Sequence, residues 1–358
     1  MKKSTTLVAV LAAATLALGA CSGGDKKSDD TKSVDYKACL VSDAGGWDDK
    51  SFNESAKNGL DAAVENLGVK SNTAESSSDA DFQPNVDNMI TDGCNLVIGV
   101  GFSLAGPIAT AAQANPDVQF GLVDSSFSDK DGKPVTYDNA RPLVFNTADA
   151  AYLAGYLAAG MSKTGKVATF GGLPIPSVQI FMDGFADGVA AYNEAKGTSV
   201  QVLGWDKAKQ TGSFTNSFDD QALGKQQGQQ FIDQGADIIM PVAGPVGLGA
   251  ASAAKDAGDV MIIGVDSDWY ESSPDYKDII LTSVMKQIGA AVEDTIKAGV
   301  DEKFSAEHYV GTLANGGVSI APFHDFDSKV SDELKAEINN LSEKIKSGEL
   351  KIDTPNAP

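Results

Sequence analysis

The chain has 358 residues, 42% apolar and 22% charged, enough for sizeable cores and too apolar for a disordered polymer. Its 49 acidic against 28 basic residues give a net charge of −21 and a pI near 4.4, which argues against binding to nucleic-acid phosphates or anionic lipid by charge. Two histidines and three cysteines leave little material for a zinc site or for histidine-based catalysis.

Lys2 and Lys3 precede an uncharged stretch, Leu7 to Ala20, too short for a hydrocarbon layer that needs about 20 residues. Residues 1–20 read as a secretory signal peptide. The junction Leu18-Gly19-Ala20-Cys21 resembles a lipoprotein lipobox, which makes Cys21 the lipidated N-terminus on the extracytoplasmic face of the cell membrane. Residues 21–33 hold no large apolar side chain and are expected to be a flexible tether.

Lys37 to Ser42 is an apolar run that reads as a strand. Ser51 with Glu54 forms a capping-box pattern ahead of the stripe Ala56, Leu60, Ala63, Val64 and Leu67, stopped by Gly68. Strands at Leu96 to Val100 and Val118 to Val123 flank a helical Leu104 to Ala114. Repeated strand–helix–strand units predict a parallel sheet covered on both faces. An Ala-rich helix, Ala148 to Met161, follows, and the pattern restarts. Strands are expected at Val167 to Phe170, Val200 to Trp205, Ile238 to Val242 and Val260 to Val265. Helices are expected near Val178 to Ala195, Gln221 to Gln234 and Leu248 to Ala257. Ile279 to Val284 is a further strand leading to helix Lys286 to Ala298, and Asp332 to Lys346 is a final amphipathic helix. The fold class is α/β, two doubly wound Rossmann-like lobes joined by a hinge. Residues 34–146 with about 285–320 are assigned to one lobe, and 147–284 with about 321–358 to the other. Cys39 in the first strand and Cys94 before a later one either form a disulfide, as an exported protein allows, or stay as two buried thiols.

In open parallel sheets ligands bind beyond the carboxyl ends of strands. Those ends carry Asp43, Asp124, Gly244 and Asp266, and Lys286 stands at a strand-to-helix junction. Carboxylates of this kind suit a ribose diol, and rings such as Phe52 suit the face of a heterocycle. Taken singly, Asp43 and Asp124 read better as caps or loop acids, Phe52 reads equally well as a core ring, Trp47 as a lid or surface residue, and Lys286 as a solvated lysine at a helix start. Their shared position at strand ends is what singles them out. Gly160 to Lys166 has most of a phosphate-loop pattern, but Val167 replaces the Ser or Thr and the segment precedes a strand, so ATP binding is rejected.

Asp48-Asp49-Lys50-Ser51-Phe52-Asn53-Glu54-Ser55-Ala56 is similar to a signature of the basic membrane protein family, lipoproteins of the purine nucleoside receptor type that feed ABC transporters. Ala150 to Gly160, Asp183-Gly184-Phe185, Val265-Asp266-Ser267-Asp268 and Thr282 to Lys286 resemble further family segments in order. The resemblance implies a type I periplasmic-binding-protein fold that closes on a purine nucleoside. In that frame Asp43 contacts the base, Phe52 stacks on it, Asp124 lines the base side, and Asp266 and Lys286 hold the ribose. Gly244 offers backbone, while Trp47, Asp48 and Asn53 belong to the same contact stretch as Phe52. The second stacking ring is Phe181 or Trp269, the latter standing where the family often has Gln. The implied partners are a small-molecule ligand, a permease and, through Cys21, the membrane. No cofactor, metal or nucleic acid is implied, and the protein is expected to act as a monomer. Alternatives are a receptor for another heterocycle or a sugar, an extracytoplasmic nucleoside- or glycoside-hydrolysing enzyme, and an adhesion lipoprotein.

Overall fold

The computed structural model describes residues 34–358. The signal segment, Cys21 and the tether expectation lie outside them. The first run comprises β1 (Lys37–Ser42), α1 (Phe52–Leu67), β2 (Lys70–Ala74), α2 (Asp79–Thr91), β3 (Leu96–Val100), α3 (Ala105–Ala114), β4 (Gln119–Val123) and β5 (Ala140–Phe145). The second run begins with α4 (Thr147–Met161), β6 (Lys166–Gly171), α5 (Pro176–Lys196), β7 (Gln201–Leu203), β8 (Trp205–Asp206) and β9 (Thr211–Gly212). It continues through α6 (Gln221–Asp233), β10 (Ile238–Val242), α7 (Pro245–Ala257), β11 (Met261–Asp266), α8 (Trp269–Ser272) and β12 (Ile280–Lys286). The last part is α9 (Ile288–Val300), β13 (Tyr309–Gly311), β14 (Val318–Ile320) and α10 (Asp332–Lys346).

Two six-stranded sheets result, ordered β13-β5-β4-β3-β1-β2 and β14-β12-β11-β10-β6-β7. Every pairing within them is parallel except β12 with β14. The chain passes between sheets after β5, after β12 and again between β13 and β14. That last passage lies ahead of the residue near 320 expected from sequence, because β14 pairs with β12 rather than joining the first sheet. The central strands of both sheets are buried throughout, which is why they read as plain apolar runs.

Several elements departed from their sequence signal. β2 (KSNTA) is a polar, half-exposed edge strand with no alternation to read. β5 carries Pro142, a residue that argues against a strand between two neighbours, yet it pairs with both β4 and β13. The strand expected over 200–205 is split at Gly204, whose φ of 85° turns the chain from β7 into the β8–β9 ribbon. In α1 the expected stripe buries Ala56, Leu60 and Ala63, while Val64 is exposed.

The capping box at Ser51 also gives way to a different arrangement. Ser51 makes no side-chain cap. The buried Asp49 caps the helix instead, accepting from the backbone N–H of Ser51 and Glu54 at 3.0 Å through Oδ1 and of Asn53 at 2.8 Å through Oδ2. A carboxylate at this helix end satisfies free N–H groups and meets the positive end of the dipole. Ser51 is thereby released for a bond to the second lobe. Cys39 and Cys94 are joined in a disulfide that ties β1 to the turn before β3, with the Cα atoms 6.0 Å apart.

Candidate functional site

The carboxyl ends of the central strands in both sheets face the gap between the lobes. The first lobe contributes Asp43 after β1, Phe52 and Asn53 at the start of α1, and Asp124 after β4. The second contributes Phe181 on α5, Gly244 after β10, Asp266 closing β11 and Lys286 closing β12. Together they line one cleft whose empty space is about 560 Å³, partly open to solvent.

Lys286 is the electrostatic centre. Its Nζ lies 2.5 Å from Asp124 Oδ2 in the first lobe and 3.1 Å from Asp266 Oδ1 in the second. Burial by itself would lower the Lys286 pKa, but the two carboxylates outweigh it and hold the ammonium above its ordinary value. The same Nζ is 5.2 Å from the centre of the Phe52 ring and 5.0 Å from that of Phe181, so a ring from each lobe flanks it. Asp124 and Asp266 are equivalent in their lobes: each ends a strand and each has a left-handed backbone, φ 65° and 68°. Aspartate tolerates this region better than most side chains, and such strain concentrates at functional sites.

Deeper in the first lobe, Asp43 packs against Gly101, where a Cβ would sit 1.8 Å from Asp43 Oδ2. Only glycine leaves room for that carboxyl, and its φ of 109° suits glycine as well. Burial pushes the Asp43 pKa well above the carboxylate range, and the charges of Asp49, Asp124 and Asp219 add to the effect. Burial also raises Asp49, against the lowering pull of its three backbone donors. Asn53 gives its Nδ2 to the carbonyl of Ala44 at 2.8 Å, leaving Oδ1 buried without a partner as an acceptor available to a ligand. Bonds outside the cleft tie the lobes together: Ser51 Oγ donates to the Val265 carbonyl and Ser267 Oγ to the Lys50 carbonyl, each at 3.0 Å.

Three expected contacts stand elsewhere. Trp269 is wholly buried in the second lobe, its Nε1 donating to the Val265 carbonyl at 2.9 Å and its ring filling the space beside Gly247 and Gly264. It is a core residue, whereas Phe181 lines the cleft. Asp48 is exposed and paired with Lys50. Trp47 is half-buried outside the cleft lining, its backbone N–H donating to Glu75 at 3.0 Å. The cleft also contains residues that sequence reasoning missed, among them Asp49, Phe102, Ile175, Ser177 and Phe218. Asp49 had a readable signal, an acid three residues ahead of a helix start. Phe218 lies in an aperiodic stretch and had none. Among the described residues no group of three or more His, Cys, Asp or Glu is placed to hold a metal ion.

The family described as ABC transporter substrate-binding protein PnrA-like matches residues 37–355. The ABC transporter nucleoside-binding protein BmpA of Lactococcus lactis subsp. cremoris is 32% identical over 367 residues, covering 96% of this chain and 99% of that protein. A CD4+ T-cell-stimulating antigen of Listeria innocua is 31% identical over 377 residues, covering 98% and 99%. Among solved structures, an ABC transporter solute-binding protein from Aeropyrum pernix K1 superposes with a TM-score of 0.79 at 26% identity, covering 89% of this chain and 94% of that one. The two parallel lobes, the cleft between their strand ends and these matches agree: the chain belongs to the PnrA-like family of ABC transporter substrate-binding proteins and has the type I periplasmic-binding-protein fold.

Proposed function

We propose that the protein is a lipid-anchored receptor that captures purine nucleosides outside the cytoplasm and delivers them to an ABC transporter permease. The observation that carries this reading is the convergence of both lobes on Lys286. Phe52 and Phe181 offer faces for a flat heterocycle. Asp266 and Lys286 present an acceptor and a donor suited to a ribose diol. Asn53 Oδ1 and the Asp43 carboxyl supply groups for a base edge. The name of the Lactococcus relative supports a nucleoside as ligand. The lipobox at Cys21 supports the anchor.

Titration calorimetry with adenosine, guanosine, cytidine, free ribose and free purine tests the ligand class. Purine nucleosides are expected to bind and the free fragments to bind more weakly. Phe52→Ala and Asp266→Ala should each weaken binding about 5- to 150-fold, the loss of a stacking face or a buried charged hydrogen bond worth on the order of 1–3 kcal/mol. Wild-type affinity in both variants would remove the site assignment. Recovery of free base and ribose after long incubation would favour the hydrolase instead, since buried carboxylates with raised pKa values also suit an acid catalyst.

A further inference from the structure

Beside the cleft, on the far side of Asp124, lies a second chamber. Its empty space is about 1050 Å³, partly open to solvent, and it shares Phe102, Asp124, Ile175 and Ser177 with the cleft already described. One side is the loop after β4, which contributes the hydroxyls of Ser125, Ser126 and Ser128. Phe127, Phe145 and Ile180 add apolar surface, and Asn356 to Pro358 close another side. Asp124 is the sole ionisable side chain in that lining, and it already faces Lys286.

The wall formed by residues 356–358 is fixed in place. Asp183 on α5, fully buried, accepts through Oδ2 from Thr354 Oγ1 at 2.5 Å and Asn356 Nδ2 at 2.9 Å. Through Oδ1 it accepts from Trp205 Nε1 at 2.9 Å and Gln210 Nε2 at 2.8 Å. Asn356 Nδ2 also reaches Gln210 Oε1 at 2.7 Å. Four donors without a cation fully satisfy this carboxylate, and they pin the segment to the helix that gives Phe181 to the cleft and Ile180 to the chamber.

We propose that this chamber is a second subsite, which takes an uncharged substituent carried by a ligand whose ring system lies between Phe52 and Phe181. The proposal rests on the nucleoside reading and deepens it. The shared residues set the two spaces side by side, the arrangement that a ligand extending past Asp124 requires. The serine hydroxyls match hydroxyl, ether or carbonyl groups, and the rings and Ile180 match a hydrocarbon or aromatic part. A phosphate is refused: Lys286 is the one cation in the combined lining, it is already paired with two carboxylates, and Asp43 and Asp49 stand nearby.

The test uses calorimetry and stopped-flow binding on the full chain with adenosine, N6-benzyladenosine, 5′-O-benzoyladenosine and adenosine 5′-monophosphate. At least one benzyl or benzoyl probe is expected within about 10-fold of adenosine, and the monophosphate roughly 100-fold weaker or worse. Ser126→Trp, an exposed position on the chamber wall, should weaken the accepted probe by about 10-fold or more and leave adenosine within about 2-fold. Asp183→Asn turns an amide NH2 towards two of the four donors whichever way it is set. It should speed release of the accepted probe by roughly 5-fold or more relative to adenosine. Adenosine binding with both substituted probes more than about 100-fold weaker would overturn the proposal, as would a Ser126→Trp effect equal on probe and adenosine. Failure of adenosine itself to bind would instead overturn the nucleoside reading on which the subsite rests.

Discussion

Asp43 shows how position alone changes a side chain's chemistry. It sits where β1 ends, and burial together with Asp49, Asp124 and Asp219 raises its pKa. The folded state therefore holds a proton that the unfolded chain releases above about pH 4. Native stability falls as pH climbs from there towards the raised folded value. Asn resembles the protonated acid, so Asp43→Asn should be more stable than wild type at pH 7, with the gap closing near pH 4. Urea unfolding across that pH range checks it, and a gap independent of pH would contradict the assignment. Asp43, Asp124, Asp266 and Lys286 were legible in the sequence because each follows an apolar run, and parallel strands gather their ends on one edge. Trp269 met the same criterion and proved to be core. Its ring turns inward over Gly247 and Gly264, a packing choice that spacing cannot report.

Among the elements, β1 is held twice, by its neighbours in the sheet and by the disulfide from Cys39. The bridge closes a loop of 55 residues. By the chain-entropy account that restrains the unfolded state by about 4 kcal/mol. Replacing both cysteines by alanine should lower the unfolding free energy by about that amount, less any relaxation of the unfolded chain. Ligand affinity should survive, because neither sulfur lines the cleft. Denaturation and calorimetry on the same variant separate the two effects. The pairing itself was open in the sequence, since spacing does not place two strands side by side. The helices were read more fully. α10 begins and ends where its apolar period does, and Ser331 caps it by accepting from the Leu334 N–H at 3.2 Å. α1 was located, but its cap was misassigned to Ser51, because which of two polar residues two positions apart turns inward depends on the lobe opposite.

For the whole molecule, the contacts between lobes set the balance of open and closed forms. The bonds from Ser51 to Val265 and from Ser267 to Lys50 exist only when the lobes meet, and neither serine lines the cleft. A ligand stabilises closure by its extra contacts in the closed state, and these bonds add to that difference. Ser51→Ala with Ser267→Ala should weaken ligand binding about 5- to 30-fold, one to two net hydrogen bonds at roughly 1 kcal/mol each. Small-angle scattering should show a larger ligand-free molecule. Unchanged affinity and radius would mean that closure does not depend on these two contacts.

The sequence alone determined the alternation of strand and helix, hence two doubly wound lobes, and it marked the strand ends as the place for a site. These are local properties, written in apolar periodicity and in the punctuation of glycine and aspartate. The tertiary structure decided which polar residues share a space. It paired Asp124 with Asp266 across Lys286, set Phe181 at the cleft and Trp269 in the core, gave the helix cap to Asp49 and folded residues 354–356 onto Asp183. Each of those outcomes joins residues far apart in the chain, and distance in space is set by packing, which no local pattern encodes.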